Sequence, residues 1–129
     1  MSTEKIEQQF SHGARPPAIR RARHDVEDAL ASAEIDPGTA GDLLLLVSEL
    51  VTNAVRHAET ESFEVRLAVS PDRVRLEVRD DGTGFDPQIA PNSEGGGGYG
   101  LFIVDRIADR WGVEKDGGGL IWLEVDRAR

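Results

Sequence analysis

Three short segments of this 129-residue chain combine residue types and spacings that suit chemistry. In the first, Glu49, Asn53 and His57 recur four residues apart, so on a helix they lie along one side and project into the same space. A carboxylate and a carboxamide one turn apart can hold a hard cation and place a proton acceptor beside it. A solvated polar face is the alternative, and His57 alone suits a helix C-terminus, where positive charge is favourable.

The second segment places Asp80 at the end of a strand-like stretch, with Gly82 and Gly84 following it. A carboxylate accepts hydrogen bonds but does not donate them, so Asp80 suits the exocyclic amine of adenine. The two glycines let the backbone approach a flat ligand closely. The same residues also fit an ordinary tight turn, and this segment alone does not decide between the two.

The third segment is a glycine run, 95–98, that leads through Tyr99, Gly100 and Leu101 into a predicted helix. Free backbone amides at a helix N-terminus, next to glycines, form an anion site suited to phosphates. The spacing of Gly96, Gly98 and Gly100 is not a dinucleotide fingerprint, because it follows a long loop instead of a strand and a short turn. It is not a Walker loop either, because no Gly-Lys-Ser/Thr occurs. For the glycine run alone, a flexible loop is the alternative.

The elements that must position these segments follow from hydrophobic periodicity. The pattern predicts strands at 6–10, 63–69, 74–79, 111–115 and 120–125, helices at 17–33, 37–58 and 101–110, and a loop at 81–98. This order predicts an α/β (α+β) two-layer sandwich, with a mixed, mostly antiparallel sheet and three helices on one face. The length fits one domain over residues 1–129, with a core at about 6–125.

Composition excludes several classes of function. The chain has 15 Lys and Arg against 24 Asp and Glu, and its net charge of −9 argues against binding a nucleic acid backbone. It has no cysteine, which removes disulfides, cysteine-ligated zinc and thiol catalysis. The longest apolar run, 43–47, is far shorter than the roughly 20 residues that span a bilayer, and no signal-peptide pattern opens the chain. We therefore expect a cytoplasmic protein with no membrane or direct nucleic acid partner.

Taken together and in this order, the three segments resemble the N, G1 and G2 boxes of the GHKL superfamily. The matching patterns are Glu49-x-x-x-Asn53, Asp80-x-Gly82-x-Gly84 and Gly96-x-Gly98-x-Gly100-Leu101. This is the Bergerat-type ATP-binding fold of gyrase-type ATPases, MutL and histidine kinases. Within it, residues 48–58 and 98–109 are most similar to the anti-sigma factor serine/threonine-protein kinases of bacteria.

The resemblance implies a role for each matching residue. Asn53 would bind the Mg²⁺ that bridges the ATP phosphates, Glu49 would be the general base, and Asp80 would accept from the adenine amino group. Residues 85–97 would be the nucleotide lid. The remaining nucleotide-binding positions would be His57, Gly82, Gly84, Gly96, Gly98, Tyr99, Gly100 and Leu101.

The implied function is binding of a sigma factor and transfer of the ATP γ-phosphate to a serine or threonine of an anti-anti-sigma (STAS-type) antagonist. Glu49 favours a serine kinase or an ATPase over a histidine kinase, because an imidazole attacks without losing a proton first. Relatives often form homodimers. Two alternatives stay open: an ATP-binding regulatory module without kinase activity, and an ATPase subunit of a sensory complex. The chain departs from the family pattern after Gly119, where relatives often have a threonine and this chain has Leu120.

The first predicted helix also carries a group of positive charges on an otherwise acidic chain. Either these residues form a protein contact or they belong to a solvated face that nearby acidic residues balance. The basic residues are Arg15, Arg20, Arg21 and Arg23, and the acidic ones are Asp25, Glu27 and Asp28.

Overall fold

The helices and strands occur in the predicted order. A computed structural model describes residues 6–57, 61–80, 100–114 and 118–127. The bounds are β1 Ile6–Gly13, α1 Pro17–Ser32, α2 Pro37–His57, β2 Ser62–Val69, β3 Arg73–Asp80, α3 Gly100–Ile107, β4 Arg110–Glu114 and β5 Gly119–Asp126. The predicted loop at 81–98 and the predicted lid at 85–97 lie outside the described residues.

β1 and α3 end three residues away from their predicted ends, and in each case a contact with another strand is the reason. β1 continues past Phe10 because it pairs with β2 along its whole length, up to Gly13 opposite Ser62. α3 ends at Ile107 instead of residue 110. Soon after it, the Asp109 amide donates to the Glu124 carbonyl oxygen at 2.9 Å, and Asp109 Oδ2 accepts from the Asp126 amide at 2.6 Å. These bonds draw the chain onto β5 and out of the helix.

The five strands form one sheet in the order β1-β2-β3-β5-β4. Each of the four pairings between the described strands is antiparallel. The predicted two-layer α+β fold with a mostly antiparallel sheet is confirmed. β5 comes last in the chain but lies between β3 and β4, so β3 is the central strand of the sheet.

The core lies between the helices and one face of the sheet. Alternate residues of β2, β3 and β5 point to this inner face, and each register pair there is buried, as with Leu67, Leu76 and Leu123. α2 contributes the widest apolar stripe, since its leucines repeat at helical spacing and are fully buried. Burying each such side chain stabilises the fold by about 1.5–3 kcal/mol. The core members from the helices are Val26, Leu30, Leu43, Leu46, Val47, Leu50, Val51 and Val104.

The span from Pro37 to Arg56 in α2 is long and apolar enough to cross a bilayer by length and composition. However, 44% of this stretch is buried inside the protein. Most of its buried residues belong to the leucine and valine stripe, which packs against α1 and the sheet. A core helix therefore accounts for this hydropathy.

The opposite face of the sheet carries a network of charged side chains around Trp122. Arg75 Nε donates to Glu77 Oε2 at 2.8 Å, and Arg75 Nη1 donates to Glu124 Oε2 at 3.2 Å. Arg110 Nε donates to Glu124 Oε1 at 2.8 Å. The Arg75 guanidinium lies 4.5 Å from the centroid of the Trp122 ring, a cation–π distance. This network joins β3, β5 and β4 across the outer face.

The same network changes the acidity of Glu124. The hydrogen bond from Arg110 is the main cause that lowers the pKa of the Glu124 carboxyl; partial burial opposes it, and Arg75 adds to it. A lowered pKa in the folded state means that this carboxylate stabilises the fold above its ordinary pKa of 4.5. That contribution to stability is lost as the pH falls through the lowered pKa of Glu124 in the folded state.

Gly112 of β4 lies opposite Trp122 and leaves room for its indole ring. A Cβ at position 112 would lie 2.7 Å from Trp122 Nε1, which is too close without movement. We expect Gly112→Ala to push the indole from beneath Arg75 and to lower the free energy of unfolding by about 1–3 kcal/mol. Urea denaturation followed by tryptophan fluorescence measures this change.

Gly41→Ala in α2 is the matched control, because a Cβ there would meet nothing within 4 Å. It should raise the free energy of unfolding by about 0.5–1 kcal/mol, since alanine favours the helix over glycine. An unchanged urea midpoint for Gly112→Ala would contradict the steric role of position 112.

The pH dependence of stability tests the Glu124 network. We expect Glu124→Gln to lower the free energy of unfolding by about 1 kcal/mol at pH 7. The difference from the unsubstituted protein should shrink as the pH falls below 4.5, the ordinary pKa of this carboxyl, because protonation removes the same charge. Urea midpoints at pH 7 and at acidic pH measure it, with Glu114→Gln on β4 as the control. A difference that stays constant with pH would contradict the assignment.

Candidate functional site

α2 positions the first predicted segment, and its start is fixed by the residues before it. Asp36 Oδ2 accepts from the Thr39 amide at 3.0 Å, which caps the helix, and Pro37 occupies the first helical position. This backbone hydrogen bond is the main cause that lowers the pKa of Asp36. The cap determines where this 21-residue helix begins, and the buried leucine stripe determines which of its residues face the sheet.

Glu49 and Asn53 lie on the same side of α2, as predicted, but differ in burial. Asn53 follows Leu46 and Leu50 at helical spacing on the buried side, and it is only 6% exposed. Glu49 is partly exposed, one turn nearer the N-terminus. Their Cβ atoms are therefore about 5–6 Å apart, as for any pair at this spacing. His57 is the last residue of α2, and its side chain lies outside the described part of the chain.

Asp80 is the last residue of the central strand and points to the inner face, where it is 4% exposed. In the sheet register its neighbours are Phe63 on β2 and Gly119 on β5. Phe63 is buried, and Gly119 has no side chain. The carboxylate therefore has an aromatic wall on one side and a position without a side chain on the other.

Polar residues are rare in the buried part of the described chain. The three that are buried there are Thr39, Asn53 and Asp80. Thr39 is buried at the start of α2, where its amide donates to the capping Asp36 carboxylate. Asn53 and Asp80 belong to the two layers that pack on each other, since α2 contacts β3. Both side chains are buried where these layers meet, which makes this end of the sheet the candidate site.

The turn of α2 that contains Glu49 has one further polar feature. Thr52 Oγ1 donates to the Ser48 carbonyl oxygen at 2.6 Å, a local bond that competes with the helix ladder. Among the described side chains, Ser48 Oγ is the buried polar atom with no hydrogen-bond partner. The chain therefore leaves one buried hydroxyl of this turn unsatisfied.

Part of the predicted site falls outside the described residues. This applies to Gly82, Gly84, Gly96, Gly98 and Tyr99. Gly100 and Leu101 open α3, which packs against α2, and their side chains are likewise not described. The first amides of a helix have no partner within it, so the start of α3 offers donors next to α2.

The flanking residues of Asp80 were not predicted from the sequence. Motif spacing identified Asp80 itself, but Phe63 and Gly119 become its neighbours only through the register of two strand pairs. The short turn at 70–72 favours a hairpin of β2 and β3, as observed. Neither the register of that hairpin nor the pairing of β3 with β5 follows from the alternation within the strands.

Within the described ranges, no group of three or more His, Cys, Asp or Glu residues is arranged to hold a metal ion. A Mg²⁺ ion on a nucleotide does not need such a group. It is usually held by one or two protein oxygens together with substrate phosphates and water. A buried carboxamide oxygen on Asn53 is compatible with that coordination.

Comparison with known proteins identifies a family and several relatives. A family model described as the histidine kinase-like ATPase domain matches residues 13–124. The serine-protein kinase RsbW of Bacillus licheniformis is 33% identical over 93 residues, covering 60% of this chain and 58% of that protein. RsbW of Listeria monocytogenes is 29% identical over 112 residues, covering 74% of this chain and 71% of that protein. The aligned region thus spans less than two thirds of the Bacillus relative.

Solved structures share the fold. The RsbU and RsbW domains of a Mycobacterium tuberculosis protein superpose with a TM-score of 0.76 at 21% identity, covering 96% of this chain and 33% of that one. The blue-light activated histidine kinase of Erythrobacter litoralis superposes with a TM-score of 0.54 at 25% identity, covering 79% of this chain and 39% of that one. The identity to the Mycobacterium protein is low, so that likeness concerns the fold alone.

Proposed function

Because this chain belongs to the histidine kinase-like ATPase domain family, we propose that it is an ATP-binding regulator of the anti-sigma-factor type. In this proposal it binds a sigma factor and transfers the γ-phosphate of ATP to a serine or threonine of an anti-anti-sigma (STAS-type) antagonist, in the cytoplasm. The likeness to RsbW serine-protein kinases supports the kinase class.

The observation that carries the proposal is the burial of Asn53 and Asp80 between the two layers. A carboxamide oxygen suits a hard cation and a carboxylate suits an amine donor, so these two side chains fit the metal and the adenine of Mg-ATP. Asp80 accepts from the adenine amino group, which a guanine carbonyl oxygen would not replace.

The phosphates require neutralisation, since Asp80 and Glu49 add negative charge to an acidic chain. Asn53 holds Mg²⁺ through its side-chain oxygen, and the amides that open α3 bind phosphate oxygens at the positive end of the helix. Mg²⁺, when bound, neutralises charge on the phosphates. His57, Gly82, Gly84, Gly96, Gly98, Tyr99, Gly100 and Leu101 complete the proposed nucleotide contacts, with residues 85–97 as the lid.

Glu49 acts as the general base in this proposal. Its carboxylate takes the proton of the serine hydroxyl as the hydroxyl oxygen bonds to the γ-phosphorus. The bond from that phosphorus to the β–γ bridging oxygen breaks, and ADP leaves. Partial exposure suits Glu49 to this role, because the attacking hydroxyl belongs to another protein and must reach it.

For the protein contact we propose the start of α1. Its arginines are exposed, and none of the ion pairs found among the described residues involves them. The acidic residues of α1 instead pair with histidines: Asp25 with His12, and Glu27 and Asp28 with His24. The positive charges therefore remain available to an acidic partner surface. The residues are Arg15, Arg20, Arg21 and Arg23. A homodimer is the proposed oligomeric state.

A second candidate function is an ATP-binding module that switches partners without transferring phosphate. Leu120 favours it, because relatives often have a threonine after the glycine at this point, and leucine cannot supply that phosphate contact. Labelled ATP distinguishes the two. A module binds ATP saturably but yields no labelled protein, whereas a kinase labels an antagonist.

Asp80→Asn tests nucleotide recognition. The amide replaces a charged acceptor, so we expect the Kd of Mg-ATP to rise about ten-fold or more while the protein stays folded. Isothermal titration calorimetry measures the affinity, and Asp42→Asn, an exposed position on α2, is the control. Equal affinities for the two variants would contradict the role of Asp80.

Glu49→Gln tests the base. We expect it to bind Mg-ATP normally and to reduce phosphate transfer about 10²–10⁴-fold, the usual contribution of a positioned base. Radiolabelled ATP and each candidate antagonist of the native cell provide the assay, with Asp42→Asn again as the control. Unchanged transfer by Glu49→Gln would remove the base assignment.

A further inference from the structure

A row of four residues crosses the inner face of the sheet at the end where Asp80 lies. The register places His12 opposite Phe63, Phe63 opposite Asp80, and Asp80 opposite Gly119. Directly opposed side chains on one face have Cβ atoms about 4.5–5.5 Å apart. Phe63 is therefore in contact range of both His12 and Asp80, and it separates them.

Phe63 is held from its other side by a polar pair. The His12 and Phe63 ring centroids are 5.6 Å apart with a 32° tilt, within the range of aromatic contacts. His12 Nε2 donates to Asp25 Oδ2 on α1 at 2.8 Å. The chain of contacts runs from α1 through the edge strand β1 to Phe63 and ends at Asp80.

The hydrogen bond to Asp25 orients the His12 ring. The His12 side chain is 14% exposed, so its imidazole is largely removed from water. The hydrogen bond offsets the cost of that burial and holds the imidazole from the side of α1. The Phe63 ring lies against the imidazole that is held in this way.

We propose that Phe63 is the β2-side wall of the adenine pocket and that His12 and Asp25 are positioning residues for it. This inference rests on the proposed function, because it takes Asp80 as the adenine acceptor. The wall limits how the base can lie against the Asp80 carboxylate, with the position beside Gly119 as the open side. His12 and Asp25 thus affect the binding of the base of the nucleotide and not the binding of its phosphates.

Three variants separate the two contacts of His12. His12→Phe keeps a ring against Phe63 but loses the hydrogen bond, and His12→Gln keeps a donor but loses the ring. Asp25→Ala removes the partner from α1 without touching the sheet, so it remains informative if a substitution at position 12 prevents folding. The matched control is His24→Ala, a histidine of α1 that is 68% exposed and lies within ion-pair distance of Glu27 and Asp28.

The measurement compares Mg-ATP with inorganic magnesium tripolyphosphate, which has the phosphates but no base. Both Kd values come from competition against a fluorescent ATP analogue. We expect each of the three variants to raise the Kd of ATP about three- to ten-fold. The Kd of tripolyphosphate should stay unchanged, and His24→Ala should change neither.

The outcomes separate the inference from the proposed function. Equal weakening of ATP and tripolyphosphate would mean that the pair only supports the fold, which overturns the inference. Unchanged ATP binding in all three variants, alongside weaker binding by Asp80→Asn, would overturn the inference and leave the proposed function standing. Unchanged ATP binding by Asp80→Asn would overturn both.

Discussion

The register of β3 in the centre of the sheet is the constraint on which the candidate site depends. Strand residues alternate between faces, so a slip of one residue would turn Asp80 to the outer face and bring Arg79 between the layers. Val74, Leu76 and Val78 of the same strand are buried on the inner face, and they prevent this slip because it would expose them to water. The apolar core therefore holds a carboxylate in a place where it would not go by itself.

The same logic applies to α2 on the other side of the layer. Its leucine stripe determines the rotation of the helix, and the Asp36 cap determines its start. Asn53 lies on the same buried side as Leu46 and Leu50, whereas Glu49 is partly exposed. The proposed roles follow from this difference in burial: the buried amide would hold a cation, and the more exposed carboxylate would accept a proton from a partner's hydroxyl.

Much of this architecture could be predicted from the sequence, because the signals were local. The Asp36-Pro37 start, the leucine period of α2 and the alternation in β2 and β3 each lie within one element, and the structure confirms them. What could not be predicted depends on contacts between distant segments. The end of α3 depends on Asp109 binding to β5, and the Phe63 and Gly119 neighbours of Asp80 depend on strand order. Alternation fixes the face of a residue but not its partner strand.

The insertion of β5 between β3 and β4 also determines how the chain can vary. Asp80 and Gly119 are register partners, although the chain between them forms α3 and β4. The entropic cost of closing a connection grows only slowly with its length. Changes of chain length between β3 and α3 would therefore leave the pairing of Asp80 with Phe63 and Gly119 intact.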